Sequence, residues 1–159
     1  MSADNQKPER LEATFAFPML YEWSIGLYGS RFFQEIMNNK RFIGIKCPGC
    51  GKIYVPPRRV CGPCFKELTE LVPLSDTGVL TAFSVVNYPF IDPHTGSRRP
   101  IPYTYGYIQL DGADNIFSHI INETDLSRIK VGMKVRAVFK DRAEMKGNIE
   151  DIKYFELIR

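Results

Sequence analysis

The fold is decided by residues 47–64, which read CPGCGKIYVPPRRVCGPC and contain all four cysteines of the chain. The cysteines form two Cys-x-x-Cys pairs with ten residues between them. In such a pair the two intervening residues turn the backbone, so that both sulfurs point at one centre. Two pairs supply four thiolates, which suits tetrahedral zinc. The sequence therefore predicts one structural Zn²⁺ site, whose ligands are Cys47, Cys50, Cys61 and Cys64.

Two other uses of the cysteines stay open at this point. Disulfides are disfavoured because residues 1–10 lack the apolar core of a secretory signal, and disulfides belong to oxidising compartments. The pattern Cys-Pro-x-Cys-Gly also occurs in rubredoxin-type iron sites, and sulfur ligands alone do not separate iron from zinc. A closed four-thiolate site has no open position for a substrate, so we expect it to stabilise the fold.

The charge of the chain is unevenly distributed. The 159 residues are 44 % hydrophobic and 25 % charged, as in ordinary soluble proteins, and the formal net charge is +3. Residues 40–66 contain seven basic and no acidic residues. The segments before and after them each carry a formal net charge of −2. The positive field therefore belongs to the cysteine-rich segment. No apolar run reaches the roughly 18 residues of a membrane helix, and we expect a cytoplasmic protein.

Residues 1–40 are expected to form a disordered tail and a helical arm. Residues 1–12 are polar and charged, which favours disorder. Residues 15–23 are rich in aromatic side chains without a clear period, so they pack either on their own domain or on a partner. Residues 30–40 are predicted to form a helix with Ser30 as its N-cap. We expect its apolar face to pack against the metal module; the face consists of Phe32, Phe33, Ile36 and Met37.

The rest of the chain is predicted to be mainly β. Residues 41–72 are assigned to a rubredoxin-like zinc ribbon, with short strands on both sides of the first cysteine pair. Residues 73–159 are assigned to a five-stranded OB-fold barrel. Alternating, β-rich segments supply its strands; they are residues 79–86, 103–110, 115–121, 134–140 and 151–157. A helical turn at 125–129, with Thr124 as its cap, is expected between the third and fourth strands. The proline-rich segment 87–102 is long for a hairpin loop and is interpreted as a binding loop or a mobile loop.

The order of these segments resembles that of the zinc-ribbon/OB-fold proteins associated with acyl-CoA enzymes, a family long described as a domain of unknown function. The resemblance covers about residues 30–157. It rests on motifs in a fixed order: FFQEI at 32–36, CPGCG at 47–51, YVPPR at 54–58, CGPC at 61–64, GVLTAFSVV at 78–86, PYTYGYIQLDG at 102–112 and VGMKV at 131–135. It implies a non-catalytic accessory subunit that docks on a thiolase, an aldolase or a hydratase. We expect a thiolase-fold partner, with a CoA thioester at the shared interface.

An enzyme acting alone would need a nucleophile with a base, paired carboxylates or an open metal. The sulfurs are assigned to the metal, and the two histidines, His94 and His119, are isolated in the sequence. His119 lies in an apolar strand, where a structural histidine with satisfied hydrogen bonds is the expectation. No Gly-x-Gly-x-x-Gly or P-loop pattern occurs. We therefore predict no catalytic residue in this chain.

Basic residues suit the phosphates of CoA. The candidates for contact with CoA or a partner are Lys52, Arg58, Arg59, Arg98 and Arg99; a solvated basic face is the alternative.

Single-stranded nucleic acid is the ligand of the main alternative function, because zinc ribbons and OB barrels are both common in its binding proteins. Tyr103, Tyr105 and Tyr107 could stack on bases, but we prefer to place them in the barrel packing. The segment from residue 67 onward carries net −2, whereas a groove for single strands is basic. A rubredoxin-like electron carrier is a second alternative.

Overall fold

The computed structural model describes residues 23–89, 91 and 96–158. The predicted tail, most of the aromatic segment 15–23 and His94 lie outside these residues. The helix and strands are α1 Gly26–Asn39, β1 Phe42–Lys46, β2 Ile53–Tyr54, β3 Glu70–Leu74, β4 Thr77–Val86, β5 Tyr103–Leu110, β6 Ile116–Ile121, β7 Lys134–Phe139 and β8 Ile152–Leu157. Two 3₁₀ helices, Arg142–Glu144 and Ile149–Asp151, lie between β7 and β8. Within this described part, no helix is long and apolar enough to cross a membrane.

The helix α1 begins before its predicted start. Its N-cap is Ile25, and Ser30 lies within the helix, so the predicted cap is wrong. The apolar face is where the pattern predicts it, with Phe32 and Ile36 fully buried. The Phe32 ring lies 6.1 Å from that of Phe42 in the ribbon and 6.4 Å from that of Phe117 in the barrel. The helix therefore packs where the two modules meet, and not against the metal module alone.

The ribbon contains a three-stranded antiparallel sheet with the order β2-β1-β3. The first cysteine pair lies in the connection between β1 and β2, as predicted. The strand β3 is absent from the sequence prediction. It pairs with β1 from Phe42↔Leu74 to Lys46↔Glu70 and contains Pro73, which is tolerated because β3 is an edge strand of this sheet.

The five strands β4 to β8 form a closed barrel with the order β4-β5-β6-β8-β7. This confirms the predicted OB-fold barrel and its strands. The helical turn predicted at 125–129 is present only as a hydrogen-bonded turn, in which the Arg128 amide donates to the Asp125 carbonyl at 3.0 Å. Residues 126–128 form a turn, in which the Asp125 carboxylate accepts hydrogen bonds from the amide and hydroxyl of Ser127 at 2.8 and 2.7 Å. Asp125, and not the predicted Thr124, therefore caps this turn.

The tyrosines of β5 face outward. Gly106 and Ile108 point into the barrel, whereas Tyr105 is 38 % and Tyr107 is 49 % exposed. The prediction that these tyrosines pack inside the barrel is therefore wrong. The interior has no room for them, since even a Cβ on Gly106 would lie 2.6 Å from Ile121 Cγ1.

Two hydrophobic cores hold the chain together. The large core combines α1 and β1 with the interior of the barrel. The ring of Phe42, on β1, lies 5.6 Å from Phe117 and 6.1 Å from Phe155 of the barrel. The small core surrounds the cysteine turns and consists of Ile45, Cys47, Tyr54, Cys61 and Leu68. Since Phe42 and Ile45 lie on the same strand, β1 connects the two cores.

Candidate metal centre and basic surface

The four cysteine sulfurs converge on one point. All four Sγ atoms lie within 4.8 Å of one another, and those of Cys50 and Cys61 are 3.7 Å apart. Cys47 and Cys61 are buried, whereas Cys50 is exposed. The structure therefore brings together the whole predicted ligand set at the edge of the ribbon.

The two cysteine turns have the same backbone pattern. In the first, the Gly51 amide donates to the Cys47 carbonyl at 3.0 Å; in the second, the Phe65 amide donates to the Cys61 carbonyl at 2.9 Å. The Cys47 amide in turn donates to the carbonyl of Lys52 at 2.8 Å. These bonds close each turn with both sulfurs on its inner side.

Two further donors contact the sulfurs. The Gly49 amide donates to Cys47 Sγ at 3.3 Å, and the Tyr54 hydroxyl lies 3.3 Å from Cys61 Sγ. The Arg58 guanidinium lies over the Tyr54 ring, with Cζ 3.6 Å from the ring centroid. Tyr54 is thereby held between a cation and a sulfur, an arrangement that orients its hydroxyl toward the cluster.

The electrostatics of the cluster fit a central dication. Hydrogen bonding from Tyr54 lowers the pKa of Cys61 to about 6. Hydrogen bonding with the neighbouring thiols, that of Cys50 foremost, raises the pKa of Cys64 to about 12. Crowding therefore prevents all four thiols from ionising on their own, and a divalent cation at the centre would stabilise four thiolates. The residues present fit a structural metal bound only by sulfur.

The five predicted contact residues fall on two surfaces. Lys52, Arg58 and Arg59 surround the cysteine turns, and Arg59 pairs with Glu67 at 3.2 Å. Arg98 and Arg99 lie between β4 and β5 on the barrel. The Arg99 guanidinium lies over the Tyr103 ring, 5.4 Å from its centroid.

Sequence reasoning missed a groove on the outside of the barrel. It has a volume of about 590 Å³. Its lining combines three cations, one carboxylate and two tyrosines, and includes Arg99, Tyr105, His119, Lys140, Glu150, Lys153 and Tyr154. The groove lies beside β5, whose tyrosines were placed on the wrong face by the prediction. The sequence did contain a signal for this groove. In β5 the tyrosines alternate with Thr104, Gly106 and Ile108, which suit the barrel interior better.

His119 forms the floor of this groove and is nearly fully buried. Its Nδ1 accepts a hydrogen bond from the Ile120 amide at 2.8 Å, so its Nε2 is the donor to the Ile149 carbonyl at 3.4 Å. Burial lowers the pKa of His119 and keeps the imidazole neutral. It is the satisfied structural histidine that the sequence predicts.

Two family models match the chain in succession. The rubredoxin-like zinc ribbon domain of ChsH2 matches residues 39–70. The C-terminal OB-fold domain of ChsH2 matches residues 71–140.

Similar proteins include a DUF35 domain-containing scaffold protein of Methanocaldococcus jannaschii. It is 29 % identical over 111 residues, which are 69 % of this chain and 75 % of that protein. The benzoylsuccinyl-CoA thiolase subunit BbsA of Thauera aromatica is 35 % identical over 78 residues, 48 % of this chain and 49 % of BbsA. The solved Ltp2-ChsH2(DUF35) aldolase superposes with a TM-score of 0.59 at 19 % identity, covering 86 % of this chain and 98 % of the matched one. At that identity the likeness concerns the fold alone.

Proposed function

Because the chain belongs to the ChsH2 family, which joins a rubredoxin-like zinc ribbon to a C-terminal OB-fold domain, we propose that it is a non-catalytic scaffold subunit of an acyl-CoA enzyme. The enzyme we propose is of the thiolase type and forms or cleaves carbon–carbon bonds. Similarity to a scaffold protein and to a thiolase subunit supports this assignment. The subunit would act in the cytoplasm, stabilise its partner and help to form the CoA or acyl entrance.

The observation that carries the proposal is the closed sulfur cluster. All four sulfurs face one another within 4.8 Å, so a metal bound there has no vacant position for a substrate. We propose that Cys47, Cys50, Cys61 and Cys64 hold one Zn²⁺. The metal would supply folding energy to the small core, and the surfaces of the chain would carry the biological function.

Purification of the tagged chain from its native host tests the proposal. We expect a colourless protein with one zinc per chain, inactive alone on acyl-CoA thioesters, which copurifies with a thiolase-fold enzyme identified by mass spectrometry. Turnover of a thioester by the isolated chain would contradict the scaffold role. A red chromophore with bound iron would favour the electron carrier instead.

The outward tyrosines favour nucleic acid as a second candidate ligand. OB folds bind oligonucleotides on the second and third strands, which here are β5 and β6, and exposed aromatic rings stack on bases. Tyr105 lies in a groove together with Lys153 and Lys140. Fluorescence anisotropy with labelled oligo-dT tests this candidate. Tight, salt-sensitive binding that is lost in Tyr105→Ala would rank it above the scaffold role.

A further inference from the structure

The two cysteine turns carry different residues at the position directly after their second cysteine. The residue directly after the second cysteine has a positive φ in both turns, 75° at Gly51 and 54° at Phe65. Glycine adopts this left-handed conformation freely, whereas a residue with a Cβ is strained there. The first turn therefore carries the residue that the backbone favours, and the second carries a bulky aromatic residue in its place.

The Phe65 side chain contributes little to the fold that would offset this strain. It is 83 % exposed and belongs to neither hydrophobic core. Val60, which forms an isolated β-bridge with Glu67 across the second cysteine turn, is also 43 % exposed. A single exposed apolar residue needs no explanation. An exposed aromatic ring on a strained backbone does, since such strain is concentrated at functional positions.

Basic residues lie around the two cysteine turns, one of which carries this aromatic ring. The aliphatic part of the next residue, Lys66, lies against the first turn, where a Cβ on Gly49 would be 2.9 Å from Lys66 Cδ. Lys52 and Arg58 also lie near the cysteine turns, and none of the three cations forms an ion pair with a residue that the structure describes. Residues 40–66 contain no acidic residue. The exposed Phe65 ring therefore belongs to a basic module, and the nearest acidic residue in the sequence, Glu67, is paired with Arg59 at 3.2 Å.

We infer that Phe65 is the anchor by which this subunit docks on its acyl-CoA enzyme, inserting into an apolar pocket whose rim carries carboxylates. This inference rests on the proposed function. Aromatic residues dominate the central contacts of protein interfaces, and complementary charges at the rim orient the partners and speed association. The strain at φ 54° is retained because the exposed ring binds the partner.

The test measures binding by the enzyme subunit that copurifies with the tagged wild-type chain, after both proteins are purified separately. In Phe65→Gly the strained conformation becomes a favoured one, so we expect full zinc content and an unfolding temperature equal to or above wild type. The dissociation constant should nevertheless rise at least about 30-fold. Phe65→Asn, which tolerates a left-handed backbone, should lose binding similarly. Lys66→Glu should mainly slow association and weaken its salt dependence.

Leu126→Ala is the matched control, because Leu126 is an exposed apolar residue of the barrel away from the cysteine turns. It should leave the dissociation constant unchanged. A Phe65→Gly protein that keeps its zinc and binds within threefold of wild type would overturn the anchor and leave the scaffold role standing. Loss of zinc in both Phe65 variants would also overturn it, since the residue would then be structural. A wild-type chain that binds no acyl-CoA enzyme would overturn the proposed function itself.

Discussion

At the scale of single residues, Tyr54 tunes the sulfur cluster without being a ligand of it. Its hydroxyl lies 3.3 Å from Cys61 Sγ. Removing such an outer hydrogen bond typically weakens metal affinity by about 10- to 100-fold. We expect Tyr54→Phe, which keeps the ring beneath Arg58, to bind zinc about tenfold more weakly in competition with a chelating dye. Tyr107→Phe, at an exposed position on β5, is the control; equal zinc affinity in the two variants would contradict this role.

We expect His119 to make the stability of the fold depend on pH. Burial lowers its pKa in the folded state, whereas the unfolded chain takes up this proton near pH 6.5. The unfolded state therefore binds more protons below that pH, and stability present above about pH 6.5 is lost as the pH falls toward the folded pKa. The slope is at most about 1.4 kcal/mol per pH unit.

Urea denaturation of wild type and His119→Gln between pH 7 and pH 5 measures how much His119 contributes to the pH dependence of the free energy of unfolding. Glutamine keeps an N–H donor for Ile149 but cannot titrate, so we expect wild type to lose more stability than the variant over this range. Both proteins contain the same cysteine site, whose contribution cancels in the comparison. Parallel pH curves would show that His119 does not titrate on unfolding.

The four candidate ligands could be predicted from spacing, because they are all the cysteines of the chain and form two Cys-x-x-Cys pairs. The contact of Tyr54 with Cys61 and the strain at Phe65 could not. The contact between Tyr54 and Cys61 depends on the path of the chain between the two cysteine pairs. The strain at Phe65 depends on a backbone dihedral, which becomes visible only when the two turns are compared as structures.

At the scale of secondary-structure elements, β4 depends on a glycine where it contacts two neighbouring strands. Gly78 pairs with Leu110 on β5 and with Val135 on β7. A Cβ added to Gly78 would lie 2.5 Å from the carbonyl oxygen of Gln109, so backbone would have to move. We expect Gly78→Ala to lower the free energy of unfolding by about 3 kcal/mol or more in chemical denaturation.

Gly29→Ala is the control, since alanine is favoured in α1 by up to about 1 kcal/mol and the added Cβ would meet only the exposed side chain of Ile25, at 3.3 Å. Equal stability of the two variants would mean that β4 and β5 can separate locally without cost.

Alternating patterns predicted the barrel strands well, because strands with one buried face impose a period of two. The same pattern does not say which face is buried, and the tyrosines of β5 were therefore placed inside. Gly106, Ile108 and Leu110 on the opposite face were the better guide to the interior. The strand β3 escaped prediction because Pro73 is tolerated only through its place at a sheet edge, which is a property of the assembled sheet.

At the scale of the whole molecule, we expect the two cores to differ in their dependence on the proposed metal. Two of the five residues of the small core are candidate ligands, Cys47 and Cys61. The large core contains no cysteine and unites α1, β1 and the barrel. Closed structural metal sites supply much of the folding energy of small modules, and five residues bury too little apolar surface to replace it.

Removal of the metal should therefore melt the cysteine turns and spare the barrel. After treatment with a strong chelator at neutral pH, we expect hydrogen exchange in peptides from residues 47–68 to become fast, while amides of β5 and β6 stay protected. Cys50→Ser should give the same pattern without chelator, which separates metal loss from other effects of the treatment. Two results would contradict this division. Turn peptides that stay protected would mean that the small core is stable without metal, and simultaneous loss of protection in β5 and β6 would mean that β1 couples the two cores into one cooperative unit.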